Sequence, residues 1–216
     1  MAERKHIPCI YVLAGTNGAG KSSLGGAMFL ETGAEYFNPD EAALRFRAVD
    51  PGMTQEEANS TAWHQGKRLL ERAISDRLDF AFETTLGGHT IAALLHRALS
   101  EKMEVRIWYV GLASPELHIA RVRSRVAAGG HDTPEAKIRE RYESSRLNLV
   151  DLMPKLTELR VFDNSEEGDP RRGIAPRPRL LLHMDHAKIV DSCDLTKAPQ
   201  WAKPILATAM KLGHTD

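Results

Sequence analysis

The stretch Gly15-Thr16-Asn17-Gly18-Ala19-Gly20-Lys21-Ser22 decides the fold of this chain, because it matches the pattern G-x-x-x-x-G-K-[ST] at every fixed position. In this pattern glycines let the backbone turn so that successive N–H groups point inward at phosphate oxygens. Lysine then reaches the β- and γ-phosphates, and the serine hydroxyl binds Mg²⁺. The predicted nucleotide-binding residues are Gly15, Thr16, Asn17, Gly18, Ala19, Gly20, Lys21, Ser22 and Ser23, with Ser22 as the metal ligand.

The flanks of this loop have the composition that a phosphate-binding loop requires. Residues Ile7 to Leu13 form a mainly apolar run that predicts a strand, and Ser23 to Leu30 fits a following helix. A helix that begins near Lys21 adds the positive end of its dipole to the phosphate site. The alternative is a glycine-rich turn that matches by chance. The order of strand, loop and helix favours an α/β fold of the P-loop NTPase type, with a mainly parallel sheet in three layers.

Length and composition limit the kinds of partner. A chain of 216 residues predicts one domain, residues 1–216. Lys plus Arg and Asp plus Glu both total 29, so the net charge gives no reason to expect nucleic acid or an anionic membrane. The only cysteines, Cys9 and Cys193, have no metal-ligand spacing. No apolar run approaches the roughly 20 residues that span a bilayer, so we expect a cytoplasmic protein.

Two carboxylates follow predicted strands. Asp40 comes after the short strand that ends at Phe37, and Glu83 with Thr85 closes the apolar run that begins at Phe80. Ligands of open α/β sheets bind at the carboxyl ends of strands, so both acids are candidates for the site. The alternative for Asp40 is an N-cap of the next helix. Glu83 would bind Mg²⁺ through water, accept a hydrogen bond from a substrate hydroxyl, or have a structural role.

Two arginine-bearing helices meet at Gly129-Gly130-His131. The first begins at Ser114-Pro115-Glu116, a typical helix start, and carries Arg121 and Arg125 four residues apart on one face. We expect residues of about 121–146 to form a lid that moves over the phosphates. The alternative is solvated charge that nearby glutamates balance. After this region the sequence predicts a last parallel strand, and then a hairpin and a helix over about 178–212.

The segments GTNGAGKSS, FNPDEAALRFR, FETT, YVGLASPELHIARVRSRVAAGGHDTPEAKIRERY and VFDNS resemble the zeta toxin family of P-loop kinases. The resemblance spans roughly residues 7 to 190, and its most specific part is the Arg-Val-x-x-Gly-Gly-His-x-x-Pro connection before Arg141-Tyr142. Zeta toxins use ATP or GTP to phosphorylate the 3′-hydroxyl of UDP-N-acetylglucosamine. A cognate antitoxin holds them inactive.

The resemblance implies roles for individual residues. Lys21 and Ser22 would bind the nucleotide phosphates and Mg²⁺, and Asp40 would be the general base facing the acceptor hydroxyl. Arg125 and Arg141 would neutralise the transferring phosphoryl group. Glu83 and Thr85 match the substrate-side Glu-x-Thr motif. The chain departs from the family where Leu86-Gly87 follows this motif, since larger toxins tend to have a basic residue there.

The leading interpretation is a kinase that uses ATP or GTP with Mg²⁺ and acts on a small-molecule hydroxyl, with a nucleotide sugar as acceptor and an antitoxin protein as partner. A second interpretation keeps the chemistry and changes the acceptor to an antibiotic, a free sugar or another metabolite. A third is a nucleotide-dependent switch whose hydrolysis serves a partner. The chain lacks the Asn-Lys-x-Asp guanine motif and an ABC-type signature, which argues against the switch.

Overall fold

The structure is a computed structural model that describes residues 6–21, 24, 36–166 and 178–213. Ser22 and Ser23, together with most of the helix predicted after Lys21, lie outside the described residues. None of the helices in the described ranges is long and apolar enough to cross a membrane.

The described residues include seven strands, which form one sheet in the order β2-β3-β1-β4-β5-β6-β7. The first five are mutually parallel, and β6 and β7 continue the sheet as an antiparallel hairpin. The strands are β1 (Cys9–Ala14), β2 (Tyr36–Phe37), β3 (Phe80–Thr84), β4 (Glu104–Gly111), β5 (Glu158–Asp163), β6 (Arg179–Asp185) and β7 (Lys188–Ser192).

In the described ranges, six helices connect and cover these strands. They are α1 (Pro39–Val49), α2 (Gln55–Asp76), α3 (His89–Ser100), α4 (Pro115–Ala127), α5 (Glu135–Leu152) and α6 (Lys203–Leu212). Short 3₁₀ turns at Met153–Lys155 and Gln200–Ala202 precede β5 and α6. The prediction of a mainly parallel α/β sheet flanked by helices is confirmed.

The main core lies on one face of the sheet. Strand β1 is central, with Ile10 and Val12 fully buried between the neighbouring strands β3 and β4. Apolar residues of α2 and α3, including Leu70 and Leu95, complete this core. A smaller cluster on the other face joins Leu13 of β1 to the phosphate loop. Burial on both faces explains why β1 is a nearly continuous apolar run, as parallel central strands usually are.

The two arginine-bearing helices are α4 and α5. Ser114 caps α4, because its hydroxyl accepts a hydrogen bond from the N–H of Leu117, and Pro115 takes the first helical position. Helix α4 ends where Gly129 adopts a φ of 89°, which a residue with a side chain rarely does. The chain then returns as α5 along α4, with Ile119, Val122 and Ile138 buried between the two helices.

Candidate active site

The glycine loop between β1 and residue 21 has the backbone of a phosphate cradle. Gly15, Gly18 and Gly20 have φ values of 148°, 81° and 83°. A Cβ on Gly15 would lie 2.3 Å from the carbonyl oxygen of Val110, so only glycine lets the loop lie this close to β4. Lys21 Nζ donates to the carbonyl oxygen of Gly15 at 2.9 Å, which places the ammonium group over the loop.

Two buried polar side chains from outside the loop hold its backbone. His118 Nδ1 of α4 lies 2.8 Å from the carbonyl oxygen of Asn17, and Asn164 Nδ2 after β5 lies 2.9 Å from that of Ala19. Burial lowers the pKa of His118 to about 4, and the positive charges of Lys21 and Arg121 act in the same direction. His118 is therefore neutral at pH 7, with Nδ1 as the donor, since a carbonyl only accepts.

Arg141 of α5 contacts the loop directly. Its Nη1 donates to Asn17 Oδ1 at 2.8 Å, and its carbonyl oxygen accepts from Thr16 Oγ1 at 3.4 Å. Burial lowers the pKa of Arg141 below its ordinary value, but a guanidinium keeps its charge in proteins. Gly87 packs against this side chain, because a Cβ on Gly87 would lie 2.7 Å from Arg141 Cγ.

Asp40 lies near the N-terminus of α1, beside residues of the lid region. The cap of α1 is Asn38, whose Oδ1 accepts from the N–H of Asp40 at 2.9 Å, so the alternative that Asp40 is the N-cap is wrong. The half-exposed Asp40 carboxylate lies 3.7 Å from Arg125 Nη1 and 3.4 Å from His131 Nε2. Arg125 Nε is buried and has no hydrogen-bond partner in the described part of the chain.

Glu83 is buried at the end of β3 and is held by two donors. The Tyr36 hydroxyl and Asn38 Nδ2 both donate to Oε1, the latter at 3.4 Å. Burial and the neighbouring carboxylate raise the pKa of Tyr36, which therefore stays protonated as the donor. Asn38 thus joins two candidate acids, because it caps the helix that carries Asp40 and also contacts Glu83.

Thr85 belongs to the same strand end as Glu83 and meets α5 through its backbone. Its carbonyl oxygen accepts from Ser145 Oγ at 2.7 Å, and its own hydroxyl accepts from the N–H of Gly87 at 3.4 Å. The strand end that carries Glu83 and Thr85 therefore packs against α5, the helix that carries Arg141.

The other arginines of α4 and α5 point elsewhere. Arg123 pairs with Glu135, and Arg139 pairs with Glu116 at 2.6 Å. Arg146 stacks on the Tyr142 ring and pairs with Glu143. Arg121, which was expected to act on one face with Arg125, instead donates to the carbonyl oxygen of Glu166 at 3.5 Å. The interpretation of balanced surface charge therefore holds for several arginines of α4 and α5, but Arg125 and Arg141 contact other candidate site residues.

Sequence reasoning missed His118, His131, Asn164 and Asn38. For His118 and Asn164 the signal was weak, because each contacts a loop residue more than 100 positions away in sequence. His131 and Asn38 lie in segments that the sequence analysis quoted, but their contacts with Asp40 and Glu83 depend on the fold. Asn164 follows the last parallel strand, where polar residues at a strand end are site candidates. Within the described ranges, no group of three His, Cys, Asp or Glu side chains is arranged to hold a metal ion.

A glycine loop after the central strand of a mainly parallel sheet, with two arginine-bearing helices beside it, defines a P-loop fold of the kinase type. The comparison with family models assigns the particular class. The Zeta toxin model matches residues 1–168, and the chain belongs to the zeta toxin family.

One relative and two solved structures show what else the chain is similar to. An uncharacterized protein of Haemophilus influenzae is 30% identical over 129 residues, which are 59% of this chain and 88% of that protein. The structure of the PezAT chromosomal toxin–antitoxin system of Streptococcus pneumoniae has a chain of similar fold, with a TM-score of 0.55 and 14% identity over 96% of this chain and 86% of that one.

A chain of the AvrRxo1-ORF1:-ORF2 complex crystallised with ATP also has a similar fold, with a TM-score of 0.65 and 13% identity. The match covers 94% of the present chain but only 64% of that longer chain. At this level of identity the similarity shows a common fold.

Proposed function

We propose that this protein is a kinase that transfers the γ-phosphoryl group of ATP or GTP to the hydroxyl of a small molecule. One arrangement carries the proposal: a phosphate loop, a carboxylate and two arginines meet at one edge of the sheet. Arg141 donates a hydrogen bond to Asn17 of the loop, and Arg125 Nη1 lies 3.7 Å from the carboxylate of Asp40. Phosphoryl transfer needs positioning and charge stabilisation, and these groups supply both.

Each of these residues has a separate role in the proposed phosphoryl transfer. The loop N–H groups and Lys21 would bind the β- and γ-phosphates, and Ser22 would be the residue that holds Mg²⁺, which would supply positive charge beside the phosphates. The acceptor oxygen attacks the γ-phosphorus in line, the bond to the β-phosphate oxygen breaks, and the hydroxyl proton passes to Asp40. Arg125 and Arg141 neutralise the charge on the transferring group.

The acceptor that we propose is the 3′-hydroxyl of UDP-N-acetylglucosamine or a related nucleotide sugar. Membership of the zeta toxin family supports this choice, as does the position of Glu83 and Thr85 at the strand end beside Asp40 and Arg141. One carboxylate oxygen of Glu83 accepts hydrogen bonds from Tyr36 and Asn38. Its other oxygen is the acceptor that we assign to a substrate hydroxyl.

An antitoxin protein is the partner that the family suggests, and the solved PezAT relative is a toxin–antitoxin system. We also propose that residues 1–216 act as one domain. Residues of about 121–146 would be its lid, and the hairpin and helix over about 178–212 would close the sheet on the side of β5.

The test is mass spectrometry of UDP-N-acetylglucosamine incubated with the protein, Mg²⁺ and either ATP or GTP. We expect a product heavier by one phosphoryl group, formed with an equal amount of ADP or GDP. The matched control is Lys21→Ala, which removes a phosphate contact from a loop without removing core volume and should abolish the product while the circular dichroism spectrum is unchanged.

The same assay with a panel of free sugars, antibiotics and other metabolites tests whether the kinase uses a different acceptor. Phosphorylation of another member would retain the kinase and replace the nucleotide sugar. Nucleotide hydrolysis at the same rate with and without every acceptor would contradict the kinase and favour the switch.

A further inference from the structure

Three carbonyl groups of the phosphate loop, at alternate positions, accept hydrogen bonds from side chains. Lys21 Nζ donates to residue 15 at 2.9 Å, His118 Nδ1 to residue 17 at 2.8 Å and Asn164 Nδ2 to residue 19 at 2.9 Å. Lys21 belongs to the loop itself. His118 and Asn164 come from α4 and from the end of β5, so two other elements of the fold determine the direction of these two peptide groups.

The direction of a carbonyl determines the direction of the next N–H group. A trans peptide is planar, and its C=O and N–H bonds point to opposite sides of the chain. When His118 holds the carbonyl of Asn17, the N–H of Gly18 points away from His118. Asn164 acts in the same way on the peptide between Ala19 and Gly20. A phosphate cradle requires successive N–H groups on its inner side, which this arrangement provides.

His118 is built for this contact. Only 1% of its surface is exposed, and its own carbonyl oxygen is so close to the loop that a Cβ on Gly18 would lie 2.7 Å away. The Tyr142 ring packs edge-on against the imidazole at 5.6 Å. The low pKa keeps the ring neutral at pH 7. The imidazole therefore holds one proton at Nδ1 and directs it at the loop.

Asn164 is buried, and only part of its side-chain amide has a hydrogen-bond partner. It is 3% exposed, and its backbone N–H donates to the carbonyl oxygen of Gly111 at 3.0 Å. Its Oδ1 is buried without a hydrogen-bond partner in the described part of the chain. A buried acceptor without a partner destabilises the fold, whereas an apolar residue at this position would avoid that cost. The contact that the amide does make is through its donor, Nδ2, to the carbonyl oxygen of Ala19.

We propose that His118 and Asn164 are positioning residues of the phosphate loop: they hold its carbonyl groups outward so that its N–H groups face the nucleotide phosphates. The proposal rests on the proposed function to the extent that this loop binds a nucleotide. It goes further by assigning the shape of the loop to two side chains outside the loop motif.

The experiment measures binding of a fluorescent ATP analogue and its displacement by inorganic tripolyphosphate. The variants His118→Phe and Asn164→Leu keep a ring or a branched side chain of similar shape and remove the donors. Each should weaken the affinity for both probes by about tenfold, the value of one well-placed hydrogen bond. Equal losses for the two probes would show that the effect is on the phosphates, because tripolyphosphate has no base or sugar.

His118→Asn is the rescue variant, since the amide nitrogen of Asn lies near the position of Nδ1 and can donate to Asn17. We expect its affinity to return to within about threefold of the wild type. Ile119→Ala is the control for packing, because it loosens the contact between α4 and α5 and leaves the His118 bond in place. It should lower the melting temperature and leave both affinities unchanged.

Wild-type affinity in His118→Phe and Asn164→Leu would overturn the proposal. So would a loss in Ile119→Ala as large as that in His118→Phe, because loss of packing alone would then explain the result. If Asn164→Leu does not fold, Asn164→Ala replaces it in the same comparison. A wild-type protein that binds tripolyphosphate but transfers no phosphoryl group would refute the proposed function and leave this inference intact.

Discussion

Arg125 and Arg141 are the arginines of α4 and α5 whose contacts differ from those of ordinary surface charges. We expect Arg125→Ala and Arg141→Ala to lower turnover by about 10³- to 10⁵-fold and to weaken nucleotide binding much less, because such arginines stabilise charge in the transition state. The variants Arg125→Lys and Arg141→Lys should have turnover nearly as low as the alanine variants, since an ammonium group lacks the planar fork of a guanidinium. Steady-state turnover and nucleotide affinity, measured together, decide between these outcomes.

Arg139→Ala is the matched control for these variants, because Arg139 lies on the same helix as Arg141 but pairs with Glu116. An exposed ion pair of this kind contributes at most about 1 kcal/mol to stability. The control should have nearly normal turnover. Equal losses of binding and turnover in the Arg125 and Arg141 variants, or full activity with lysine, would return both residues to the class of surface charges.

Asp40 is tested most sharply by Asp40→Asn, which keeps the size of the side chain and removes its ability to take a proton. Stability should change little, because Asn38 and not Asp40 caps α1. We expect normal nucleotide binding and turnover lower by roughly 10²- to 10⁴-fold. The lower half of that range is favoured, since a loose phosphoryl-transfer transition state asks less of a base.

Acceptor affinity must be measured on the same variant, because a misplaced hydroxyl would also slow the reaction. The paired control is Asn38→Ala, which should destabilise α1 by about 1 kcal/mol through loss of the cap. Unaltered turnover of Asp40→Asn at saturating acceptor would remove Asp40 from the mechanism.

The contact between the end of β3 and helix α5 depends on a glycine that sequence reasoning treated as a departure from the family. A Cβ on Gly87 would lie 2.7 Å from Arg141 Cγ and 3.1 Å from Arg141 Cβ. Arg141 Cβ moves only with the helix, and Cγ moves only by a change of rotamer that also moves the guanidinium group. Gly87→Ala should therefore displace Arg141 from Asn17 and lower turnover by at least about tenfold, since small misplacements of a catalytic group are costly.

Gly88→Ala provides the comparison one residue away, because a Cβ there would meet nothing within 4 Å. This variant should turn over at the wild-type rate. If Gly87→Ala also turns over at the wild-type rate, then turnover does not depend on the present position of Arg141 or on the contact between the end of β3 and α5.

The elements of this fold were predictable from the sequence where burial is continuous. The apolar runs before the glycine loop and from Phe80 predicted the ends of β1 and β3 to within two residues. Ser114-Pro115 correctly predicted the start of α4. The cap of α1 was assigned incorrectly as an alternative, because Asn38 and Asp40 are both good N-cap residues and only the backbone shows which one precedes the first turn.

The candidate site was predictable only where a motif is local. The loop residues follow from one continuous pattern, whereas the partner of His118 is 101 residues away in sequence and that of Asn164 is 145. Periodicity cannot reveal such pairs, because a buried polar residue disturbs the apolar pattern in the same way whatever it contacts. The place of Gly87 against Arg141 likewise depends on how two elements pack.

The stability of the protein as a whole should depend on pH through His118. Its pKa is lowered from the ordinary 6.5 to about 4 in the folded state, mainly by burial. Between these values the unfolded chain binds a proton that the folded chain does not. The free energy of unfolding therefore rises with pH across this window, and the contribution of His118 is complete above about pH 6.5.

As the pH falls from 6.5 to about 4, His118 alone should remove on the order of 3 kcal/mol of stability, at about 1.4 kcal/mol for each pH unit of the difference. Urea unfolding at several pH values between 7 and about 4.5 measures this, because most carboxylates stay ionised there. The reference is His118→Asn, which keeps a donor for Asn17 but does not titrate. Its stability should fall less steeply than that of the wild type as the pH is lowered, and parallel curves for the two proteins would show that His118 titrates normally in the folded state.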